Sequence, residues 1–408
     1  MAFDTSMTRR RFVATTGVAS LAVLSTPYLA RAAKSATLAI GRQPYAAGNS
    51  PVTQYMIDNK TLEKKAKDLG VDLTVDWRDY PSAQPMVEAF VSGNLDLGMW
   101  GNTPIIRGLA AKQPWSILNL GEGHFRFVIA TRPDSEIRNI ADLKGKTVGV
   151  LLGGDPYNAL SQILLCELGS GNPKDYDIKL VNVPTQAQAA AIPTGLDAAV
   201  VIYPAFLKAQ KEIGTVGIVN SFGYTEDHYK GPAGEGAGHL LDSVKKSAFY
   251  PDGYYLHRSF WMGRDEVIDA NPDLIAAFAA AQQEAVVALK AMDPGKVSDS
   301  VTKYWALPPE LGAKVVKDDV LFGRGWIWPT EGDITAIIQT SKFMVAGGLI
   351  QQPLEWDPIL ENIKKGAPLL KKAYEATGSK PDEATFAKSD AGDLRGPPTW
   401  EADKWKRA

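Results

Sequence analysis

The chain has 408 residues, 45% of them hydrophobic, with 44 Lys and Arg against 46 Asp and Glu and a single cysteine. That length exceeds what one hydrophobic core usually organises, so two lobes are expected. The near-even charge balance speaks against nucleic-acid or anionic-membrane binding, and one cysteine excludes an internal disulfide or a Cys-paired metal site.

The first segment reads as an export signal. Arg9, Arg10 and Arg11 precede a weakly apolar stretch from Ala14 to Leu29, and Ala30-Arg31-Ala32 is a small-x-small cleavage site. The arginine pair and the Gly/Ala/Thr-rich core of the signal favour the twin-arginine type over the alternative, an ordinary secretory signal that holds three arginines. Removing 1–32 takes four arginines and Asp4, which leaves 40 basic and 45 acidic residues and a net charge of −5. No other stretch approaches the ~20 uninterrupted apolar residues of a membrane span. The mature chain, starting near Ala33, is expected in the periplasm.

From there strands and helices alternate. Ala36–Gly41 suits a buried strand. Ser50-Pro51 opens a helix to about Leu69 that Gly70 closes, and Val71–Trp77 alternates as a strand. A helix over Gln84–Val91 stops at Gly93, the strand Leu95–Trp100 follows, a helix reaches Lys112, and Trp115–Leu120 is the next strand. The device repeats: strand Thr147–Leu152, loop 153–156, helix Tyr157–Leu168, strand Ile178–Val183, short helix Gln186–Pro193, strand Ala198–Ile202, helix Ala205–Ile213. This rhythm predicts α/β lobes on parallel, doubly wound sheets. Leu95-Asp96 after Gly93 is echoed by Leu196-Asp197 after Gly195, as if both lobes follow one rule.

Gly223–Tyr250 lacks periodicity and reads as a loop or insertion. A short strand at Tyr255–His257 is followed by a helix over Pro272–Met292, with Asn271 as its cap and Leu274, Phe278, Ala281, Ala285, Leu289 and Met292 on one face. Beyond about Gly366 the chain turns polar and Pro-rich, an extended tail. The four histidines lack ligand spacing, and Cys166 sits in a helical pattern where a thiol packs as a small apolar group. No metal, cofactor or catalytic residue is expected.

Ligands of open α/β sheets bind beyond the carboxyl ends of strands, beside helix N-termini. Four loops qualify: Gly41-Arg42-Gln43-Pro44-Tyr45, Trp100-Gly101-Asn102-Thr103, Gly153-Gly154-Asp155-Pro156-Tyr157, and Tyr203-Pro204. A helix start alone explains Thr103 and Pro104. It does not explain Trp100 or Asn102, so Trp100 and Tyr203 are expected to face the cleft from opposite lobes. Trp326-Ile327-Trp328-Pro329 reads as packing. Gly153-Gly154 has no following Lys-Ser/Thr and is no nucleotide loop.

Three stretches carry a family resemblance: MVEAFVSGNLDLG (Met86–Gly98) with Pro104 and Gly108-Leu109-Ala110, IADLKGKTVGV (Ile140–Val150), and NPDL (Asn271–Leu274). In these the chain resembles the periplasmic substrate-binding proteins of ABC transporters, in the nitrate/sulfonate/taurine branch. The resemblance implies a type II binding fold, with two doubly wound lobes joined by a two-strand hinge around a ligand cleft. Lobe 1 would take 33–127 and 254–362, lobe 2 128–253, and 363–408 would form a C-terminal helix and tail. It implies a small-molecule ligand (sulfonate-, carboxylate- or heteroaromatic-type), an inner-membrane permease as partner, and a monomer. Contact positions fall on Gln43, Tyr45, Gly101, Asn102, Thr103, Gly154, Asp155 and Tyr203; Tyr157 completes the third loop. Asp155 departs from the Ser or Thr usual at that turn, which lowers the expectation of a sulfonate unless it merely caps its helix. An enzyme on the same fold and a ligand-delivering sensor are the competing readings.

Overall fold

Helices that follow strands and cover both faces of a sheet leave the strands as short apolar runs, and this chain builds that arrangement twice. A computed structural model describes residues 34–45, 49–123, 126–183, 191–346, 348–387 and 396–407. The segment expected to be an export signal and most of the helix expected over 186–193 lie outside these residues. In chain order the strands are β1 (Lys34–Arg42), β2 (Val71–Asp79), β3 (Leu97–Gly101), β4 (Trp115–Glu122), β5 (Phe127–Thr131), β6 (Thr147–Val150), β7 (Lys179–Asn182), β8 (Ala198–Ile202), β9 (Val216–Asn220), the two-residue ribbon β10 (Lys230–Gly231) and β11 (Gly234–Glu235), and β12 (Ser259–Arg264). The first sheet is ordered β2-β1-β3-β12-β4 and the second β7-β6-β8-β5-β9.

Neither sheet is purely parallel, which corrects the sequence expectation. β1 pairs in parallel with β2 and β3, and β6 with β7 and β8, but β12 and β5 run antiparallel to both neighbours. These two are the strands the chain enters on crossing from one sheet to the other. It arrives where the parallel strands end and must run back against them. β5 and β9 escaped the sequence reading. The strand expected at Tyr255–His257 begins at Ser259 instead, because 254–258 is the crossing itself.

The main helices are α1 (Asn49–Asn59), α2 (Thr61–Asp68), α3 (Ala83–Val91), α4 (Asn102–Ala110), α5 (Asp155–Leu168), α6 (Ala205–Ile213), α7 (Pro272–Lys290), α8 (Glu331–Ala346) and α9 (Gly366–Ala376). The single helix expected over 50–69 is broken at Lys60, which sits in the left-handed region at φ 50°. On α7 the expected face is buried from Leu274 to Leu289, but Met292 lies past the helix end and is exposed. Asn271 makes no side-chain cap there; its Nδ2 donates to Val267 O.

The echoed Leu-Asp pairs do the same job in both sheets. Asp96 N donates to Ala39 O at 2.8 Å while Asp96 Oδ2 accepts from Ala39 N at 2.8 Å. Asp197 N donates to Thr147 O at 2.8 Å while its Oδ2 accepts from Thr147 N at 2.7 Å. Each aspartate thus clips the start of its own strand to a single residue of a neighbour, Ala39 within β1 or Thr147 at the start of β6, and sets the register.

At the forward crossing, Gly123 N donates to Asp319 Oδ1 at 3.1 Å. Arg126, with Phe222 under its guanidinium, pairs with Asp318 at 3.0 Å and Glu226 at 3.7 Å. The C-terminal segment is packed rather than loosely laid on the surface. Trp400 contacts Tyr374 and Trp328, Trp405 donates to Pro397 O, and Trp326 and Trp328 are buried as expected. Behind them Asp333, fully buried, accepts from Arg258 Nε and Arg324 Nη1, both at 2.9 Å, and from Thr330 N and Oγ1. Burial pushes its carboxyl up, but Arg324 and Arg258 outweigh that and hold it below the usual carboxylate range.

Asp333→Ala would remove a buried carboxylate that two buried guanidinium groups share. We expect a loss of about 3–5 kcal/mol, read as a lower urea midpoint at unchanged slope. A loss below about 1 kcal/mol would show that water or backbone carbonyls replace the carboxylate without penalty.

Candidate functional site

The carboxyl ends of β1, β3, β4, β6 and β8 point to one place, and the antiparallel strands β5 and β12 begin there. A cavity of about 400 Å³ lies between these ends. Gln43 and Tyr45 enter it from the end of β1, Gly101 from β3, Glu122 from β4, Gly154 and Asp155 from the loop into α5, Ile202 and Pro204 from β8, Phe127 from β5, and His257 and Ser259 from the crossing into β12; Tyr304 and Trp305 close one side. A larger groove of about 550 Å³ lies elsewhere, between α2, α7 and α9, over a floor rich in alanine. We place the site at the strand ends, where helix N-termini and polar side chains converge.

Five of the ten residues expected from sequence line the cavity: Gln43, Tyr45, Gly101, Gly154 and Asp155. Gln43 Nε2 donates to Met99 O at 2.8 Å, and Tyr45 meets Tyr304 edge-on at 5.8 Å. Tyr304 is tied to the rim through Arg42, whose buried guanidinium also pairs with Asp79 at 2.6 Å.

Trp100 is a correction. Alternation along β3 turns it away from the cleft into the layer under α3, where it packs fully buried against Phe90 at 5.0 Å and Trp115 at 5.4 Å. Tyr203 is another. Its ring lies flat on Phe206 and beneath the Arg126 guanidinium, behind the strand end. Burial, with Glu226 nearby, raises its hydroxyl pKa. The two rings cannot sandwich a ligand. Tyr157 is half-buried against the core and does not line the cavity. Asn102 and Thr103 are wholly buried. Asn102 Nδ2 donates to Leu256 O at 2.8 Å and to Thr340 Oγ1 at 3.3 Å, which ties the return crossing and α8 to the start of α4.

Asp155 does not cap its own helix. Its Oδ1 accepts from Thr103 N at 3.1 Å, Thr103 Oγ1 at 2.7 Å and Tyr255 Oη at 2.6 Å, so it caps α4 across the cleft. Asn158 Nδ2, one turn further along α5, donates to Thr103 Oγ1 at 2.8 Å. Gly101 is required by this approach: a Cβ there would overlap Asp155 Oδ2 and sit 2.6 Å from His257 Nε2. Tyr255, fully buried and donating to a carboxylate, has its pKa raised well above the ordinary value.

Sequence reasoning missed Glu122, Phe127, His257, Ser259 and Trp305. Ser259 Oγ donates to Glu122 Oε2 at 3.2 Å and lies 3.4 Å from His257 Nε2. His257 Nε2 is 3.7 Å from Asp155 Oδ2, and its ring meets Phe127 edge-on at 5.8 Å. Burial lowers its pKa from 6.5 to about 4 against the pull of Asp155 and the Gly123 backbone, so the imidazole is neutral. The antiparallel entry of β5 and β12 brings Phe127, His257 and Ser259 to the cleft, Glu122 comes from the end of β4 and Trp305 from a later helix, and no local motif signals these placements. Among the described residues no group of three or more His, Cys, Asp or Glu could hold a metal ion, and no helix is long and apolar enough to cross a membrane.

Residues 67–294 match the model of the family described as NMT1/THI5 like. No curated protein matches the chain. Among solved structures, the alkanesulfonate-binding protein of Xanthomonas axonopodis pv. citri, bound to MOPS, is similar with a TM-score of 0.58 and 19% identity over 79% of this chain and 96% of that one. The periplasmic nitrate-binding protein of Synechocystis PCC 6803 gives 0.59 and 13% over 84% and 89%. A desulfurization enzyme gives 0.51 and 16% over 82% and 99%. At these identities the shared property is the fold, that of periplasmic binding proteins.

The depressed His257 pKa sets a pH dependence. The unfolded chain takes up this proton near pH 6.5 and the folded one only near pH 4, so the stability contribution is complete above 6.5 and is lost as pH falls towards 4. We expect a loss of about 3 kcal/mol across that window, absent in His257→Gln. Parallel melting-temperature profiles for the two proteins would show that other groups govern the acid limb.

Proposed function

We propose, for a chain that belongs to the NMT1/THI5-like family, that it is the solute-binding component of an ABC-type importer. It holds one small organic molecule in the cavity between its two sheets, delivers it to an inner-membrane permease, and turns nothing over. The observation that carries this reading is the cavity itself, walled by Phe127, Ile202, Tyr304 and Trp305 with a few fixed polar groups among them. Apolar walls with sparse, oriented polar groups suit capture of a small molecule. Gln43, Tyr45, Gly101, Gly154 and Asp155 are the proposed contacts, joined by Glu122, Phe127, His257 and Trp305. We assign lobe 1 to 33–127 and 254–362, lobe 2 to 128–253, and the remainder to the C-terminal helix and tail. The protein acts as a monomer in the periplasm, and the names of its structural neighbours support that location.

One contact favours an enzyme instead: Ser259 Oγ lies 3.4 Å from His257 Nε2. That nitrogen also faces Asp155, Ser259 donates to Glu122, and a ring with pKa near 4 is a weak general base at neutral pH. Holding is favoured over conversion.

Native mass spectrometry of protein purified from periplasm is expected to show one bound small molecule, recovered unchanged after prolonged incubation. Ala205→Trp, at the cavity wall, should abolish its binding without lowering the melting temperature by more than a few degrees. Accumulation of a product beyond one equivalent would sink the binding reading.

We further propose the twin-arginine route for export. Replacing Arg9 and Arg10 together by Lys should block periplasmic accumulation and leave a folded precursor in the cytoplasm. Undiminished export would point to the general secretory route.

A further inference from the structure

The N-terminus of a helix offers unpaired amides and partial positive charge, and an oxyanion is the ligand that such a seat ordinarily takes. In this chain the seat at α4 is filled from within. Thr103 N and Thr103 Oγ1 both donate to Asp155 Oδ1, and Tyr255 Oη adds a third donor to the same oxygen. Asp155 is 8% exposed and its second oxygen lies beside Gly101 and His257, at the cavity wall. Glu122, 2% exposed, brings a second carboxylate to that wall, and the imidazole near both is neutral. Gln43 has its amide nitrogen engaged by the Met99 carbonyl. Among the described lining residues the cation is Lys208, on α6, in the second turn from Pro204. The wall formed by α4, β4 and the return crossing is therefore rich in acceptors, with its anion seat closed.

We propose that the ligand is an organic cation whose buried head is an N–H donor, an ammonium, amidinium or guanidinium group received by Glu122 and Asp155, and that Asp155 is the residue that excludes sulfonates and nitrate. This rests on the solute-binding reading. A cationic head gains charge-assisted hydrogen bonds from both carboxylates. An oxyanion would have to displace Asp155 from Thr103 and then lie beside two carboxylates. Asp155 thus acts twice, as a contact to the ligand and as the occupant of the seat that a competing anion would need.

The test uses calorimetric titration of the mature protein with agmatine, benzamidine and phenethylamine against MOPS, ethanesulfonate and nitrate, together with the mass of the molecule retained by native protein. The wild-type protein is expected to bind at least one cation and no oxyanion, and the retained molecule to carry a basic nitrogen. Asp155→Ser removes the carboxylate and frees the Thr103 amide; it should weaken the cation at least tenfold and admit a sulfonate. Glu122→Gln keeps the shape and should weaken the cation without admitting the sulfonate. Asp155→Asn controls for folding, because its oxygen can still accept from Thr103. Wild-type binding of MOPS, ethanesulfonate or nitrate, or a retained oxyanion, would overturn the proposal and leave the solute-binding reading standing. Cation affinity unchanged in both Asp155→Asn and Glu122→Gln would overturn it as well. Turnover of the retained molecule, or no binding by any form together with an empty native protein, would overturn the solute-binding reading and this proposal with it.

Discussion

One carboxylate, carried by the helix after β6, sits on the N-terminus of the helix after β3, and the geometry of the cleft follows from that placement. Asp155 gathers donors from two other segments on a single oxygen: Thr103 at the start of α4 and Tyr255 in the return crossing. β3 therefore has to end in a residue without a side chain, and Gly101 supplies that. The crossing before β12 also has to pass the site, and it presents Tyr255 and His257 there. An end of a helix buried without acceptors would be costly. Here the acceptor comes from the opposite sheet, so capping α4 and holding the two sheets together are one interaction.

The described helices and strands were largely legible because their signals are local. Gly closes α5 and α6 where Gly169 and Gly214 adopt positive φ, and α6 was read to its end residues. The Leu-Asp echo reports a real equivalence, since Asp96 and Asp197 clip their strands through the same pair of bonds. Strand direction was not legible. The apolar runs of β5 and β12 are the same whichever way they point, and only the route of the chain between sheets decides it.

The site was half legible for a related reason. Loops at the ends of parallel strands announce themselves by Gly, Pro and capping residues, which located Gln43, Gly101, Gly154 and Asp155. Which face of a strand meets the cleft is not written in alternation when both faces are covered, and so Trp100 was assigned to the wrong side. Tyr203 failed because its neighbours Arg126 and Phe206 claim its ring. Glu122, His257 and Ser259 are far apart in sequence or lie in segments with no motif, and they meet only because β12 is inserted between β3 and β4. Nor does the local sequence around Asp155 say that its partner lies 52 positions upstream.

The paired clips at Asp96 and Asp197 also bear on how the molecule can deform. In a sheet with both faces covered, sliding one strand by a residue would send its side chains to the wrong layer, and each clip ties an aspartate's own backbone and side chain to one neighbouring residue, so that slip must break two bonds at once. The two sheets are accordingly stiff plates in the direction that matters for the cleft wall. Shear within a plate is resisted at its most sensitive point, and the return crossing, 254–258, is one of the segments that lie between the plates. A load applied to the rim would then shift each plate as a unit rather than distort the strand ends that shape the cavity.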